Sequence, residues 1–415
     1  MKKKLLPTQI LVGIVVLFFF CAVDAGVPLW TFTPQTPTGL NISSTGTATV
    51  QYTLTNQSSK QHSLVLTHIL GITQDTSSGN CGNPAILNAQ QSCTLSLVIS
   101  GNALRGNIQG GPIVCEAGNA LQCYQPGPGD TLDITVTPSY AYITNRGNNT
   151  VSLCTMNATI GTLSDCAPVA RDFNNPAGIA LNHNVAYITN RDDDTVSQCA
   201  VDAITGGLSG CISTPSIFDG PFGIAFHNGF LYITNFNNST VSQCAVDAIT
   251  GGLSGCISTA NIFNGPIGIA FHNGFSYITN FNDSTVSQCA VDAITGVLSG
   301  CISTASIFGG PTGIAFYHGF SYITNFNDST VSSCAVNIAT GALSGCILTG
   351  SDFSLPIDVT FNHNFAYITN RGNDTVSRCE IDTTTGGLST CVSTGEGFSL
   401  PYGIAFNGAS PIGII

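Results

Sequence analysis

The sequence predicts an all-β chain built from repeated four-stranded sheets, and three observations predict it. Tyr142 opens the phrase Tyr-Ile-Thr-Asn, which returns at Tyr187, Tyr232, Tyr277, Tyr322 and Tyr367 with a constant period of 45 residues. A period of this length marks stacked supersecondary units, each too small to bury a core alone. Each period also holds four short apolar or β-branched runs separated by Asn, Asp and Gly turns. Residues 26–137 lack the period but alternate polar and apolar residues between turn signals. Four antiparallel strands in 45 residues describe a blade of a β-propeller, so six phrases predict six blades over residues 138–415.

Residues 221–265 show the unit. Residues 223–226 (Gly-Ile-Ala-Phe) form a first strand, His227-Asn-Gly229 a turn, and residues 230–234 a second strand. Residues 235–239 turn again, since Asn and Asp tolerate left-handed backbone and hydrogen-bond their own turns. Residues 240–246 and 253–258 are the third and fourth strands, joined by Asp247-Ala-Ile-Thr-Gly251. Cys244 and Cys256 flank that turn, so hairpin pairing sets them opposite one another within bridging range. The same pair recurs as Cys154/Cys166, Cys199/Cys211, Cys289/Cys301, Cys334/Cys346 and Cys379/Cys391. A bridge in each blade would pin its outer edge strand, the part most prone to fray. No short paired Cys or His spacing supports a metal site instead, and no cofactor is implied.

The phrase Tyr-Ile-Thr-Asn, the run Asn-x-Thr-Val-Ser that follows it (Asn148 to Ser152 in the first copy) and Pro-x-Gly-Ile-Ala (Pro266 to Ala270) resemble the YVTN family of propeller repeats, related to NHL-type propellers. The resemblance covers about 270 residues. It implies a propeller used as scaffold, adhesin or enzyme frame alike, and the cysteine pair in every blade departs from its usual pattern.

Two segments compete to complete the first blade. Gly-Ile-Ala or a variant begins at Gly178, Gly223, Gly268, Gly313, Asp358 and Gly403, and the last copy has no Tyr phrase after it. Ile134-Thr-Val136 occupies the same register before Tyr142. Residues 403–406 are expected to close the ring, with residues 130–136 finishing the preceding domain; the alternative is a truncated seventh blade. In residues 26–137, the runs at 30–33, 47–55, 62–70 and 92–100 read as strands of an Ig-like β-sandwich. Tyr-Thr-Leu-Thr-Asn and Ser-Cys-Thr-Leu resemble Ig-like modules of bacterial secreted proteins. Cys81 with Cys93 and Cys115 with Cys123 are the expected pairs, although four cysteines allow three connectivities.

Residues 1–25 carry a basic start (Lys2, Lys3, Lys4), an apolar run over residues 10–20, and Val23 and Ala25 before Gly26, the pattern of an export signal. Export to an oxidising compartment agrees with the sixteen cysteines that remain beyond Cys21. The expected location is secreted, periplasmic or at the cell surface, with no membrane-spanning segment after the signal. Only Lys60, Arg105, Arg146, Arg171, Arg191, Arg371 and Arg378 then face 21 acidic residues, which excludes nucleic acid as a partner.

Directly after the Tyr phrase the blades carry Arg146, Arg191, Phe236, Phe281, Phe326 and Arg371. In a closed ring this makes an arginine arc opposite a phenylalanine arc, a rim suited to a protein, a glycan or another acidic partner. The competing reading is that the three Phe blades are duplicates sharing a packing residue. Asp192-Asp-Asp194 could bind calcium, but other blades carry Asn237-Asn-Ser and Asn282-Asp-Ser there, so a solvated turn is favoured. His183, His227, His272, His318 and His363 are spread around the ring and cannot converge on one metal. The Asn-x-Ser/Thr sequons, such as Asn238 to Thr240, read as turn chemistry. Only Glu116, Glu380 and Glu396 are glutamates beyond residue 25, and no recurring carboxylate pair marks a catalytic residue. The expectation is a binding module, with a lactonase-like propeller hydrolase or a structural envelope component as alternatives.

Overall fold

A computed structural model describes residues 28–43, 46–104, 107–137, 139–157 and 160–407; the expected export signal and Cys21 lie outside them. The N-terminal part holds three sheets. Trp30–Pro34, Thr47–Asn56, Ser92–Ser100 and Ile72–Asp75 form one, and Asn119–Tyr124, Val114–Glu116, His62–Leu66 and Ala85–Leu87 a second. The third pairs Asp133–Thr137 with Gly39–Ser43 in parallel and with Ile108–Gln109 antiparallel. Alternate side chains of the first two sheets meet in one core containing Trp30, Leu54, Leu97, Leu64 and Val114, joined by Ile42 and Ile134. The strand beginning at His62 stops at Leu66, four residues short of the apolar run, because Ile69 turns the chain through a bridge to Ile72.

From Ser139 onward the chain forms six four-stranded sheets, a β-propeller. The third blade runs Pro221–His227, Phe230–Asn235, Thr240–Val246 and Leu253–Ser258, inner edge to outer edge. Ser139–Asn145 in the first blade pairs on its inner side with Pro401–Phe406, placing Ala141 opposite Phe406 and Ile143 opposite Ile404. That C-terminal strand packs between Pro356–Asn362 and Pro176–Asn182, the inner strands of the last and second blades. Ile134 belongs instead to the N-terminal core.

The recurring phrase has a physical reading, residue by residue. Each threonine is fully buried and makes one bond within its own blade and one across the blade junction. Thr234 accepts a hydrogen bond from the Gly223 amide (2.8 Å) and donates its own proton to the carbonyl of Ile267 in the next blade (2.6 Å). The pattern holds all the way round: Thr144 to Ala177, Thr189 to Phe222, Thr279 to Thr312, Thr324 to Ile357 and Thr369 to Tyr402, at 2.5–2.9 Å. Asparagine works within the blade, where Asn235 Nδ2 donates to Thr240 and Ser242. Tyrosine again works between blades: Tyr142, Tyr187, Tyr232, Tyr277 and Tyr367 donate to glycine carbonyls in the outer turns of their neighbours. Burial pushes the Tyr187, Tyr232 and Tyr277 phenols up to about 12. The isoleucine between them fills the blade core.

Glycine after the inner-strand proline is required by close approach. A Cβ at Gly223 would lie 2.1 Å from the Ile267 carbonyl oxygen, and at Gly268 2.2 Å from that of Thr312. Further out, Asp247 Oδ1 accepts from the amides of Ile249 and Thr250, closing the turn that brings Cys244 and Cys256 together.

All six blade bridges join the expected partners: Cys154–Cys166, Cys199–Cys211, Cys244–Cys256, Cys289–Cys301, Cys334–Cys346 and Cys379–Cys391. Cys81–Cys93 and Cys115–Cys123 are bridged as well. The alignment behind the blade pairs needs correction, because the two cysteines are not a simple cross-strand pair. Gln243 faces Ile257 and Ala245 faces Ser254, so Cys244 stands against two residues, Gly255 and Cys256. The same break in register lies at Cys166, Cys211, Cys301, Cys346 and Cys391. Its cause is one extra residue before each outer cysteine. Asp165, Gly210, Gly255, Gly300, Gly345 and Thr390 all take left-handed backbone there, with φ between 49° and 58°. Such a bulge bends the outer strand and re-aims the cysteine that follows it. The inner cysteine of each pair is fully buried, whereas the outer ones are half-buried, and Cys211 is exposed.

Deleting residues 401–415 removes the inner strand of the first blade and exposes Ala141 and Ile143, both fully buried. We expect aggregation, or a fall in Tm far beyond that from trimming an ordinary terminus. A truncated chain that stays monomeric and melts like the full chain would refute the role given to this strand.

Candidate functional site

At the end of the ring where the inner strands begin, the second residue of each strand points to the axis. Ala177, Phe222, Ile267, Ile357 and Tyr402 pack into one apolar floor, flanked by Phe236, Phe281 and Phe326. Arg146, Arg191 and Arg371 stand above it, and together with Thr312 these side chains line a cup of about 160 Å³. All six residues of the expected arginine and phenylalanine arcs therefore meet at one cavity.

The arginines are held by rings rather than by acids. Arg146 donates to the Tyr402 hydroxyl (2.8 Å) and lies 5.1 Å from its ring centre. Arg191 lies 5.0 Å from Phe222 and 5.6 Å from Phe236, while Arg371 lies 5.7 Å from Phe326 and 5.8 Å from Tyr402. Cation–π attraction of this kind contributes about 0.5–2 kcal/mol per contact, more where water is excluded. Among the described residues the ion pair found is His62–Glu116 in the N-terminal domain, so no carboxylate closes on the cup arginines. The Nε groups of Arg191 and Arg371 are buried without a hydrogen-bond partner. Burial, then the nearby Arg146, lowers the Arg191 pKa from its ordinary value, opposed by Tyr402 and Asp192. Concentrated positive charge over an apolar floor is an arrangement that an incoming anion stabilises.

The floor residues escape a reading of the sequence alone. Phe222 and Tyr402 follow a proline at a position that varies between blades while its neighbours hardly change. That varying column was the available signal.

Beneath the floor runs a narrow axial channel lined by the inner-strand glycines and by Asp358, which replaces glycine in the sixth blade. Its carboxylate accepts from the amides of Val359 (2.9 Å) and Ile404 (3.0 Å), the latter on the strand that closes the ring. Burial pushes its pKa up to about 6, against the lowering effect of those two amides. It is the carboxylate that lines this channel.

The other candidates disperse. Asp192 accepts from Asn175, Asp193 from Asn174 and Asp194 from the Gly220 amide, three separate turn contacts. No cluster of His, Cys, Asp or Glu among the described residues could hold a metal. The outer-edge cysteines Cys166, Cys211, Cys256, Cys301, Cys346 and Cys391 are all bridged, so none offers a thiolate as nucleophile or ligand. They line neither the cup nor the channel, and their part is structural. His227 and His272 stack on Phe271 and Phe316 at the far end of the inner strands, and burial lowers both pKa values. His183 meets Asn182, His318 packs on Tyr317, and the His363 carbonyl accepts from Tyr317. In the sequon at Asn238, the side-chain oxygen accepts from the Thr240 hydroxyl.

A family model described as lactonase, seven-bladed β-propeller, matches residues 132–271. The match spans about a third of the chain, whereas the described residues from Ser139 onward form six four-stranded sheets. The matched stretch holds about three of the 45-residue repeats. Among solved structures, the chain is similar to the periplasmic gluconolactonase of Pseudomonas aeruginosa, at 15% identity and a TM-score of 0.51, covering 65% of this chain and 99% of that one. It is similar to a chain of a nidogen/laminin complex at 14% identity and a TM-score of 0.52, covering 65% and 98%. A protein of Lactobacillus plantarum is similar at 17% identity and a TM-score of 0.50, covering 65% and 99%. At such identities the likeness is one of fold. A search of curated proteins finds no match.

Asp358 gives the ring a pH dependence whose sign follows from its raised pKa. The stability it contributes is complete below the unfolded value near 4 and is lost as pH rises through about 6, by at most about 3 kcal/mol. Urea denaturation between pH 4 and 7 should show stability falling across that window, and the slope should flatten in Asp358→Asn. An unchanged slope in the variant would remove Asp358 as its source.

Proposed function

We propose that this chain is an exported, disulfide-pinned, six-bladed propeller of YVTN/NHL type with an N-terminal Ig-like module, and that it acts by binding. Its axial cup receives an acidic group of a protein or glycan partner. The observation that carries this reading is the set of three guanidiniums gathered over an apolar floor with no carboxylate partner. Size supports a terminal group over a whole small molecule, since ligand pockets commonly enclose about 300–1,000 Å³ and the cup is smaller. Eight disulfides support a location outside the cytoplasm: secreted, periplasmic or at the cell surface.

A second reading, lactonase-like hydrolysis, is favoured by the family match over residues 132–271 and by the gluconolactonase among the fold neighbours. In that reading the arginines would hold an anionic lactone. The channel carboxylate of Asp358, below the floor, is the group that would accept a proton.

Calorimetry of the purified chain against acidic and neutral glycans and acidic peptides tests the first reading. Changing Arg146, Arg191 and Arg371 together to Ala should weaken binding at least tenfold and flatten its salt dependence, in a chain shown by circular dichroism to remain folded. Binding that survives the triple change moves the site away from the cup. Hydrolysis of aldonolactones that is lost in Asp358→Asn would replace the binding reading with the second one.

A further inference from the structure

We propose that Ser58, His62 and Glu116 form a nucleophilic triad on the N-terminal domain, able to take an acyl group from a small activated ester. The proposal is independent of the cup. Glu116 Oε2 lies 2.6 Å from His62 Nδ1, and His62 Nε2 lies 2.9 Å from Ser58 Oγ. A carboxylate accepts, so Nδ1 donates to it, and in the neutral tautomer this leaves the Nε2 lone pair facing the serine hydroxyl. Nucleophile, base and orienting acid within hydrogen-bond reach are the diagnostic arrangement for an activated serine, recognised by geometry rather than by chain order.

Each member is held in place. Glu116 Oε1 accepts from the Ser63 amide (3.3 Å), fixing the carboxylate beside the ring. The His62 ring packs against Trp30, with centroids 5.6 Å apart. Asn56 Oδ1 accepts from the Ser58 amide (2.9 Å), and the Lys60 amide donates to Ser58 Oγ (3.1 Å). The hydroxyl's single hydrogen has two acceptors in reach, His62 Nε2 and the Lys60 carbonyl at 3.0 Å. Rotation about the Cβ–Oγ bond selects between them, and the rotamer facing His62 is the reactive one.

The step balances within the site. Ser58 Oγ attacks the ester carbonyl while its proton passes to His62 Nε2. The carbon–oxygen bond to the leaving group breaks, and that group departs with the proton. Water then releases the acid by the reverse sequence. His62 is the base and Glu116 a positioning residue. The flanking Gln57, Ser59 and Lys60 are exposed, so the site suits a small ester arriving from solvent over a chain held in a cleft.

A fluorophosphonate probe on the full chain tests this, read by intact mass and peptide mapping. We expect one adduct, on Ser58, abolished in Ser58→Ala and at least tenfold slower in Glu116→Gln, with Tm unchanged in both. No adduct, an adduct elsewhere, or an equal rate in Glu116→Gln would overturn the triad. Should Glu116→Gln fail to fold, Ser58→Cys decides: a triad predicts a thiol that iodoacetamide alkylates well below the ordinary thiol pKa of about 8.5. Alkylation following that ordinary value would overturn it too.

Discussion

The ring depends on six buried threonine hydroxyls. Each bridges an amide of its own blade to a carbonyl of the next, so every blade junction near the axis is tied by the same pair of hydrogen bonds. These groups are shut away from water, where an unpaired amide or carbonyl costs about 1–3 kcal/mol. The circuit is cyclic and passes through Tyr402 and Gly403, so the C-terminal strand is as much a member as any other. Glycine beside five of the six bridges lets the neighbouring backbone approach to a distance that a side chain would forbid, and Asp358 stands beside the sixth. The disulfides act at the opposite margin, where each outer strand has only one neighbour. Together they hold a small blade at both edges while its isoleucine and valine fill the centre.

The cup follows from that circuit. The carbonyls accepting the threonine protons belong to Ala177, Phe222, Ile267, Thr312, Ile357 and Tyr402, and the side chains of those residues form its floor or wall. The same bonds that join the blades therefore aim the floor at the axis. Arginines in three adjacent blades meet phenylalanines in the other three, and Arg191 and Arg371 stack across the two boundaries between the arcs. In a chain of net charge −12, a cup of unpaired cations is a local reversal of sign. In the proposed binding role, such a reversal would steer acidic groups toward the axis and away from the remaining surface.

Much of the propeller was legible because repetition converts one reading into six. The roles of tyrosine, threonine and asparagine differ, yet all three recur, so their importance showed before their partners did. The cysteine partners were legible from their spacing, but the bulge before each outer cysteine was not, since Asp165 and Thr390 stand where four blades use glycine. The arcs were legible because they sit at one fixed offset from the phrase. Tyr402 and Phe222 were not, since their column varies and nothing local says that it faces the axis. Asp358 looked like a simple variant of glycine; its meaning comes from the closing strand it bonds. In the N-terminal domain, Ser58 and His62 lie close in the chain while Glu116 arrives from a strand much later, a meeting made by sheet pairing. The strand ending at Leu66 was overextended because the apolar run continues through a turn.

Native-state hydrogen exchange of the axial glycine amides tests the threonine circuit most directly. The amides of Gly178, Gly223, Gly268, Gly313 and Gly403 all donate to a ring threonine. If the circuit is one cooperative unit, Gly403 exchanges as slowly as the other four, with the free energy of global unfolding. Exchange at Gly403 that is faster by orders of magnitude, while the others stay protected, would show a fraying clasp and contradict a closed ring.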